Sequence, residues 1–395
     1  MPTFARFFKA TDMKKSLIAL AFGTLGLGIA EFVMMAILPY LAEDFRISIP
    51  VAGHFISAYA IGVCAGAPML TLARKMQMKK ILLLLGILMM TGNLLAALSP
   101  NYACMLAARF ISGLPHGAYF GVASIVAEKL ADKGKGSEAV SIMIAGMTIA
   151  NLFGVPLGTS LSTLLSWRLT FLLVAVWAII VIYYIWKWVP KVENLPDTGF
   201  KGQFRFLKTK APWLILGGTM MGNGGVFCWY SYINPLLTQV SGFSPESISM
   251  LMVLAGFGMV VGNLAGGRLS DRYTPGHVAS TTQLIICLAL LGIFFFGHIH
   301  WVSAALMCVC TTGLFAVSSP QQISIIHFSK GGELLGAACI QVAFNLGNAI
   351  GAYVGGLPLQ AGLGYEYPAL IGAPVAFTGF ILLAVFAKKC ERKAA

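Results

Sequence analysis

The sequence predicts an all-α membrane protein with twelve transmembrane helices in two pseudo-symmetric six-helix bundles. Three observations predict it. First, 58% of the 395 residues are hydrophobic and only 10% are charged, with a mean hydropathy of +0.82. Soluble proteins carry roughly 25% charged residues, so lipid must cover part of this surface. Second, the apolar residues fall into twelve blocks, each long enough to cross a bilayer at about 1.5 Å per residue. Third, the basic residues gather on alternate loops.

In order, the blocks run over about 16–41, 49–72, 81–99, 102–127, 138–164 and 169–189, then 212–238, 246–267, 277–297, 301–326, 334–359 and 367–387. The expected organisation is a tail over 1–15, a bundle over 16–189, a linker over 190–211, a second bundle over 212–387 and a tail over 388–395. Residues 1–12 are basic and aromatic and read as an interfacial tail. The first block is too long for a signal-peptide core and carries Glu31 at its centre, so it stays in the mature protein.

Lys and Arg set the orientation. One set of ends and loops holds 24 of them, the other only Arg46 and Arg168, and Arg109 lies inside a helix. The positive-inside rule then places both termini and the linker in the cytoplasm of an inner-membrane protein. The linker contains Pro190, Pro196, Gly199 and Gly202. An offset of 196 residues carries Gly26, Gly28 and Pro39 onto Gly222, Gly224 and Pro235, and Gly62 and Gly66 onto Gly258 and Gly262. Parallel repeats of this kind imply two bundles that rock about a site at the membrane midplane.

The net charge of +13 does not imply nucleic acid, because the basic residues punctuate apolar blocks and form no basic-aromatic soluble segment. The eight cysteines have no metal spacing and read as small buried hydrophobes. No phosphate-binding loop and no nucleophile–base set stands in the aqueous segments. The expectation is a protein that is not an enzyme, takes no cofactor and works as a monomer in the lipid bilayer.

Of fourteen acids, only Glu31 sits in mid-span. An ionised carboxylate there is costly, which suits a group that binds and releases a proton. Arg109 is the only mid-span base. It lies roughly 10 Å from the outer end of its helix and Glu31 roughly 15 Å, depths that allow a direct or water-mediated pair. His116 stands two turns deeper on the Arg109 helix and could relay protons. For each, a fixed structural bond is the rival reading.

The candidate substrate-binding residues are Met34, Tyr59 and Asn151 in the first half, and Phe227, Trp229, Tyr230, Asn234, Gln321, Gln341 and Asn345 in the second. Aromatics with a few amides suit an amphipathic or sugar-like ligand.

Several strings resemble the major facilitator superfamily. Gly267-Arg-Leu-Ser-Asp-Arg-Tyr273 is similar to that family's loop signature. The corresponding earlier loop, Leu72-Ala-Arg-Lys-Met-Gln-Met-Lys-Lys80, keeps its basic end but has no Asp. Leu106-Ala-Ala-Arg109-Phe-Ile-Ser-Gly113 resembles the helix-4 motif linked to proton coupling. Gly146-Met-Thr-Ile-Ala-Asn-Leu-Phe-Gly154-Val-Pro156-Leu-Gly158 resembles the helix-5 antiporter motif, with one extra residue before the proline. Glu31-Phe32, Leu114-Pro-His-Gly-Ala118 and Ser166-Trp-Arg168 resemble the drug:proton antiporter branch and its arabinose-efflux-type permeases.

The resemblance covers the chain from Met13 onward. It implies proton-coupled efflux of a small organic molecule, such as a sugar or drug. Glu31 would carry the proton, Arg109 would modulate it, Gly154 and Pro156 would shape helix 5, and Gly267, Asp271 and Arg272 would stabilise one conformational state. A pH-independent uniporter or importer, and a ligand sensor on the same scaffold, are the alternatives.

Overall fold

A computed structural model describes residues 2–47 and 49–391. Among these, twelve long helices follow one another with no strand. The first six are α1 (Pro2–Asp44), α2 (His54–Met69), α3 (Met78–Ala97), α4 (Tyr102–Leu130), α5 (Gly136–Ile149, continued by Val155–Leu164) and α6 (Trp167–Trp188). The second six are α7 (Lys210–Tyr230), α8 (Ile248–Arg272), α9 (Pro275–Phe296), α10 (His300–Ala316, continued by Ser318–Phe328), α11 (Glu333–Gln360) and α12 (Tyr367–Phe386).

Ten of the twelve are long and apolar enough to cross a membrane. The other two are α2, with only 16 residues, and α7, whose Gly and Asn residues dilute its hydropathy. Large apolar side chains such as Leu157, Ile179, Phe257 and Leu288 stand more than half exposed. A soluble monomer rarely leaves apolar surface on this scale, but it is what lipid requires.

The chain divides into two compact units. Residues up to Arg205 form one together with Lys330–Gln341; Phe206–Ser329 and the residues from Val342 on form the other. The first turns of α11 therefore group with α1–α6, which the sequence did not foretell.

Helix ends follow local chemistry. Asn101 accepts a hydrogen bond from the Cys104 N–H at 2.9 Å and starts α4, and Ser166 accepts from the Arg168 N–H to start α6. Thr274 and Pro275 open α9, with the Thr274 hydroxyl accepting from the His277 N–H. A short π turn, Ala387–Glu391, prolongs α12. It brings the Glu391 carboxylate to the start of α9, where it accepts from the Gly276 N–H at 3.0 and 3.1 Å and from the Thr274 hydroxyl at 2.8 Å. The acid neutralises orphan donors at a helix N-terminus.

Inside the first unit, α2 and α4 meet backbone to backbone. A Cβ on Gly62 or Gly66 would collide with the carbonyls of Phe110 or Leu114, and one on Gly113 with that of Tyr59. Small residues permit such contact where lipid supplies no hydrophobic drive. In the second unit α8 and α10 meet similarly, Gly262 against the Thr312 carbonyl and Gly266 against that of Ala316. Pro320 has no N–H with which to bond the Ala316 carbonyl, and α10 is interrupted at Val317.

Three segments differ from expectation. The region read as a tail before residue 16 is helical from Pro2 as part of α1. The linker contains a short helix, Gly199–Gln203, and a 3-10 turn, Arg205–Lys208, and α7 begins inside its expected end. In α5, Ala150–Gly154 forms a π turn. That turn takes up the extra residue before Pro156, because a π turn accommodates one more residue than an α turn while the flanking segments keep their faces. Of the expected C-terminal tail, residues 392–395 lie outside the described residues.

Candidate functional site

Helix periodicity brings four polar side chains together in the first unit. Glu31 comes from the middle of α1, Tyr59 from α2, and Arg109 and His116 from α4. Arg109 and His116 are seven residues apart, about two turns, so they share one face. Tyr59, Arg109 and His116 are almost wholly buried, and Glu31 is 7% exposed.

His116 is the group nearest to Glu31 in charge terms: its Nε2 stands 3.8 Å from Oε2 of the carboxylate. Neither atom has a hydrogen-bond partner. The other imidazole nitrogen, Nδ1, is hydrogen-bonded to the Tyr59 hydroxyl at 2.8 Å. Phe120 stacks on the ring, with centroids 5.1 Å apart and planes inclined by 11°. Gln341, at the end of the α11 segment that belongs to this unit, also reaches the imidazole. The ring is held at its Nδ1 edge by Tyr59 and on one face by Phe120, while its Nε2 stands toward the carboxyl.

Arg109 does not pair directly with Glu31, as depth alone had suggested. Its guanidinium donates to the backbone carbonyls of Ala30 at 2.9 Å and Phe55 at 3.3 Å. It lies 4.3 Å from the Tyr59 ring centroid and 5.8 Å from that of Phe171. A carbonyl has two lone pairs, so helical residues can accept this extra bond. Arg109 therefore ties α4 to α1 and α2 and bears on Glu31 through space.

Chemically, a carboxyl and an imidazole 3.8 Å apart form a two-site acceptor. A small approach would let one proton sit between them, and departure of the proton leaves two buried polar edges facing each other.

The other residues singled out in the sequence are placed as follows. Met34 is packed in a core with Val33, Ile37, Phe55 and Phe171 and lines no open space. The Asn151 amide donates to the Met147 carbonyl on its own helix at 3.1 Å. Gly154 backs onto the Ile29 side chain, whereas Pro156 is exposed.

In the second unit, Phe227 meets Tyr230 and Phe344 edge-on at 5.7 and 6.0 Å, and Trp229 lies 5.9 Å from Tyr230. Trp229 is 1% exposed and its Nε1 has no partner; Gln321 is also buried, with an unpartnered Nε2. Such donors suit a polar ligand atom. Asn345 is buried, while Asn234 is exposed beyond the end of α7. Gly267 is buried near the end of α8, Asp271 is half-buried, and Arg272 lies over the Tyr273 ring at 5.6 Å.

Sequence reasoning missed the Tyr59–His116 bond, the Phe120 stack and the nearness of Gln341. Tyr59 precedes the small-residue contact at Gly62 by three residues, which was the one available hint that it faces α4. Among the described residues, no group of three His, Cys, Asp or Glu could hold a metal ion.

Residues 20–338 match the family described as Major Facilitator Superfamily. AraJ, a candidate transporter of Escherichia coli strain K12, is 47% identical over 384 residues, covering 97% of this chain and 98% of AraJ. A Helicobacter pylori (strain J99) protein, described as a probable sugar efflux transporter, is 28% identical over 94% of this chain and 92% of its own length. The solved Escherichia coli fucose:proton symporter FucP superposes with a TM-score of 0.74 at 17% identity, over 94% of this chain and 98% of FucP.

Proposed function

The chain belongs to the major facilitator superfamily, and on that premise we propose that it is a proton-coupled exporter of a small organic molecule. It is a multi-pass membrane protein, and its family and fold are those of transporters. The cargo is of the sugar or drug class, exchanged for protons by alternating access. The protein works as a monomer in an inner membrane, with both termini in the cytoplasm as the 24-to-2 division of basic residues favours. The Helicobacter pylori relative supports both the sugar class and the outward direction.

The observation that carries proton coupling is the buried Glu31 carboxyl facing His116 Nε2 at 3.8 Å, with no hydrogen-bond partner on either atom. Glu31 is the proton carrier, His116 shares its proton, and Arg109 sets the local field. Phe227, Trp229, Tyr230, Gln321 and Asn345 receive the cargo. Gly154 and Pro156 shape α5, and Gly267, Asp271 and Arg272 stabilise one state. One pH unit supplies about 1.4 kcal/mol per proton, enough for about tenfold accumulation of a neutral cargo at one-to-one exchange.

Proton release on cargo addition tests this. Purified wild type and Glu31→Gln in weakly buffered detergent are titrated with monosaccharides, chloramphenicol and tetraphenylphosphonium. Release from wild type alone identifies the cargo class and ties the proton to Glu31. Binding without release from wild type would overturn proton coupling in favour of uniport. Equal release from the variant would remove Glu31 as the carrier.

A further inference from the structure

The loop between α2 and α3 carries Arg74, Lys75, Lys79 and Lys80 but no acid between Met69 and Lys80. The linker supplies one. Arg74 Nε donates to Asp197 Oδ1 at 3.0 Å, and the Lys75 ammonium lies 3.8 Å from Oδ2. Arg74 is anchored at its other end by a bond to the Thr71 carbonyl at 2.9 Å. Asp197 also accepts from the Gly199 N–H at 3.0 Å. Gly199 has φ of +75° and opens the short Gly199–Gln203 helix, so the Asp-Thr-Gly turn is what shapes this part of the linker.

The same stretch is tied at two further points. The Lys129 ammonium, at the end of α4, donates to the Glu193 carbonyl at 2.8 Å. The Thr198 hydroxyl donates to the Gly331 carbonyl, and the Gln203 amide donates to that carbonyl and to Thr198 Oγ1, both at 3.1 Å. Gln203 is only 4% exposed although it belongs to a linker. Gly331 has φ of +83°, and its N–H donates to Glu333 Oε1 at 2.9 Å at the start of α11. A Cβ on Gly331 would come within 3.2 Å of Thr198 Cγ2, so the strand of linker lies tight against this turn.

We infer that residues 191–203 are a strap that fastens residues 330–341 to the first unit, with Asp197 providing the carboxylate that the α2–α3 loop lacks. Residues 330–341 are the piece of chain that groups with α1–α6 across a long sequence gap. The strap is the linker's contribution to holding them there, and its opening sets how often they leave. In an alternating-access protein that rate would bear on turnover, but the fastening itself does not depend on any cargo.

Two readouts on the full-length purified chain test it. The first is tryptic cleavage at Lys201 and Arg205, referenced to cleavage at Lys133 and Lys135 in the α4–α5 loop. The second is hydrogen exchange of the amides of residues 330–341. Exposed ion pairs are individually weak, so Asp197→Asn should raise both rates about two- to fivefold, and Gln203→Ala should do the same. The double variant Arg74→Asp with Asp197→Arg should restore both.

Faster cleavage with unchanged exchange over 330–341 would overturn the fastening. So would unchanged cleavage in Asp197→Asn, or a charge swap no slower than the single variant. Neither readout involves transport or protons, so failure here and failure of proton-coupled export are distinguishable.

Discussion

Removing a single oxygen from the buried cluster isolates one interaction. Tyr59→Phe keeps the ring that lies under the Arg109 guanidinium, so it opens almost no cavity and retains the cation–π contact. It deletes the hydroxyl bonded to His116 Nδ1 at 2.8 Å. The 3.5 Å approach of that hydroxyl to the Leu27 carbonyl is too long to add much. His116 has no exposed surface, so water cannot replace the lost partner, and an unpaired buried nitrogen costs about 1–3 kcal/mol. Tyr119→Phe is the control. The Tyr119 hydroxyl donates to the Leu20 carbonyl at 3.1 Å, and Leu20 sits inside α1, where its carbonyl keeps a helical partner. The expected cost there is about 0.5–1.5 kcal/mol. Equilibrium unfolding in mixed micelles should therefore rank Tyr59→Phe as the more destabilised. In a His116→Gln background the cost of Tyr59→Phe should shrink, giving a measurable coupling. Equal costs in the two backgrounds would refute the Tyr59–His116 bond.

Other outcomes follow from the same geometry. Deleting Phe153, an exposed residue in the π turn of α5, should leave a monodisperse protein on size exclusion, because the turn reverts to α and the flanks keep their faces. Deleting Leu173 from the unbroken α6 should give aggregate, since every later side chain rotates by about 100°. Gly66→Leu should abolish recovery of folded protein from detergent extracts, because the added atoms meet the Leu114 backbone rather than a flexible side chain.

The Gly199 N–H, and after it Arg74, hold the Asp197 carboxyl below the usual aspartate range. Its contribution to the strap is present above the ordinary aspartate value and is lost only as pH falls through the lowered one. The ratio of linker cleavage to α4–α5 loop cleavage should thus stay flat from about pH 6 to pH 9. A rise toward pH 6 would contradict that protonation state.

Hydropathy made most of the fold legible because lipid imposes a length and a composition on each span. It was weakest for α2, which is apolar but only 16 residues long, and for α7, whose Gly and Asn residues dilute the signal. The extra residue before Pro156 was visible, but only coordinates turned it into a π turn. Depth along a helix is readable from residue number, whereas the direction a side chain faces depends on helix rotation. That is why Glu31, Arg109 and His116 could be brought to similar depths, yet Arg109 rather than His116 was matched to Glu31. The Tyr59–His116 bond and the approach of Gln341 depend on contacts between helices distant in sequence. The structured linker was hidden by its Pro and Gly content, since nothing in that composition reveals that Asp197 and Gln203 find partners elsewhere.

The carboxylate at Glu391 has a consequence for how this chain is made. It closes the start of α9 from 115 residues further along, and ribosomes add about 5–20 residues per second, so α9 waits roughly 6–23 s for its cap. The first unit waits too, because Lys330–Gln341 complete it only after most of the second has been synthesised. Neither half can be finished in the order in which it is read. While residues 206–341 are being made the membrane therefore holds two partly assembled bundles, and this is the interval in which an insertase or quality-control protease would meet them.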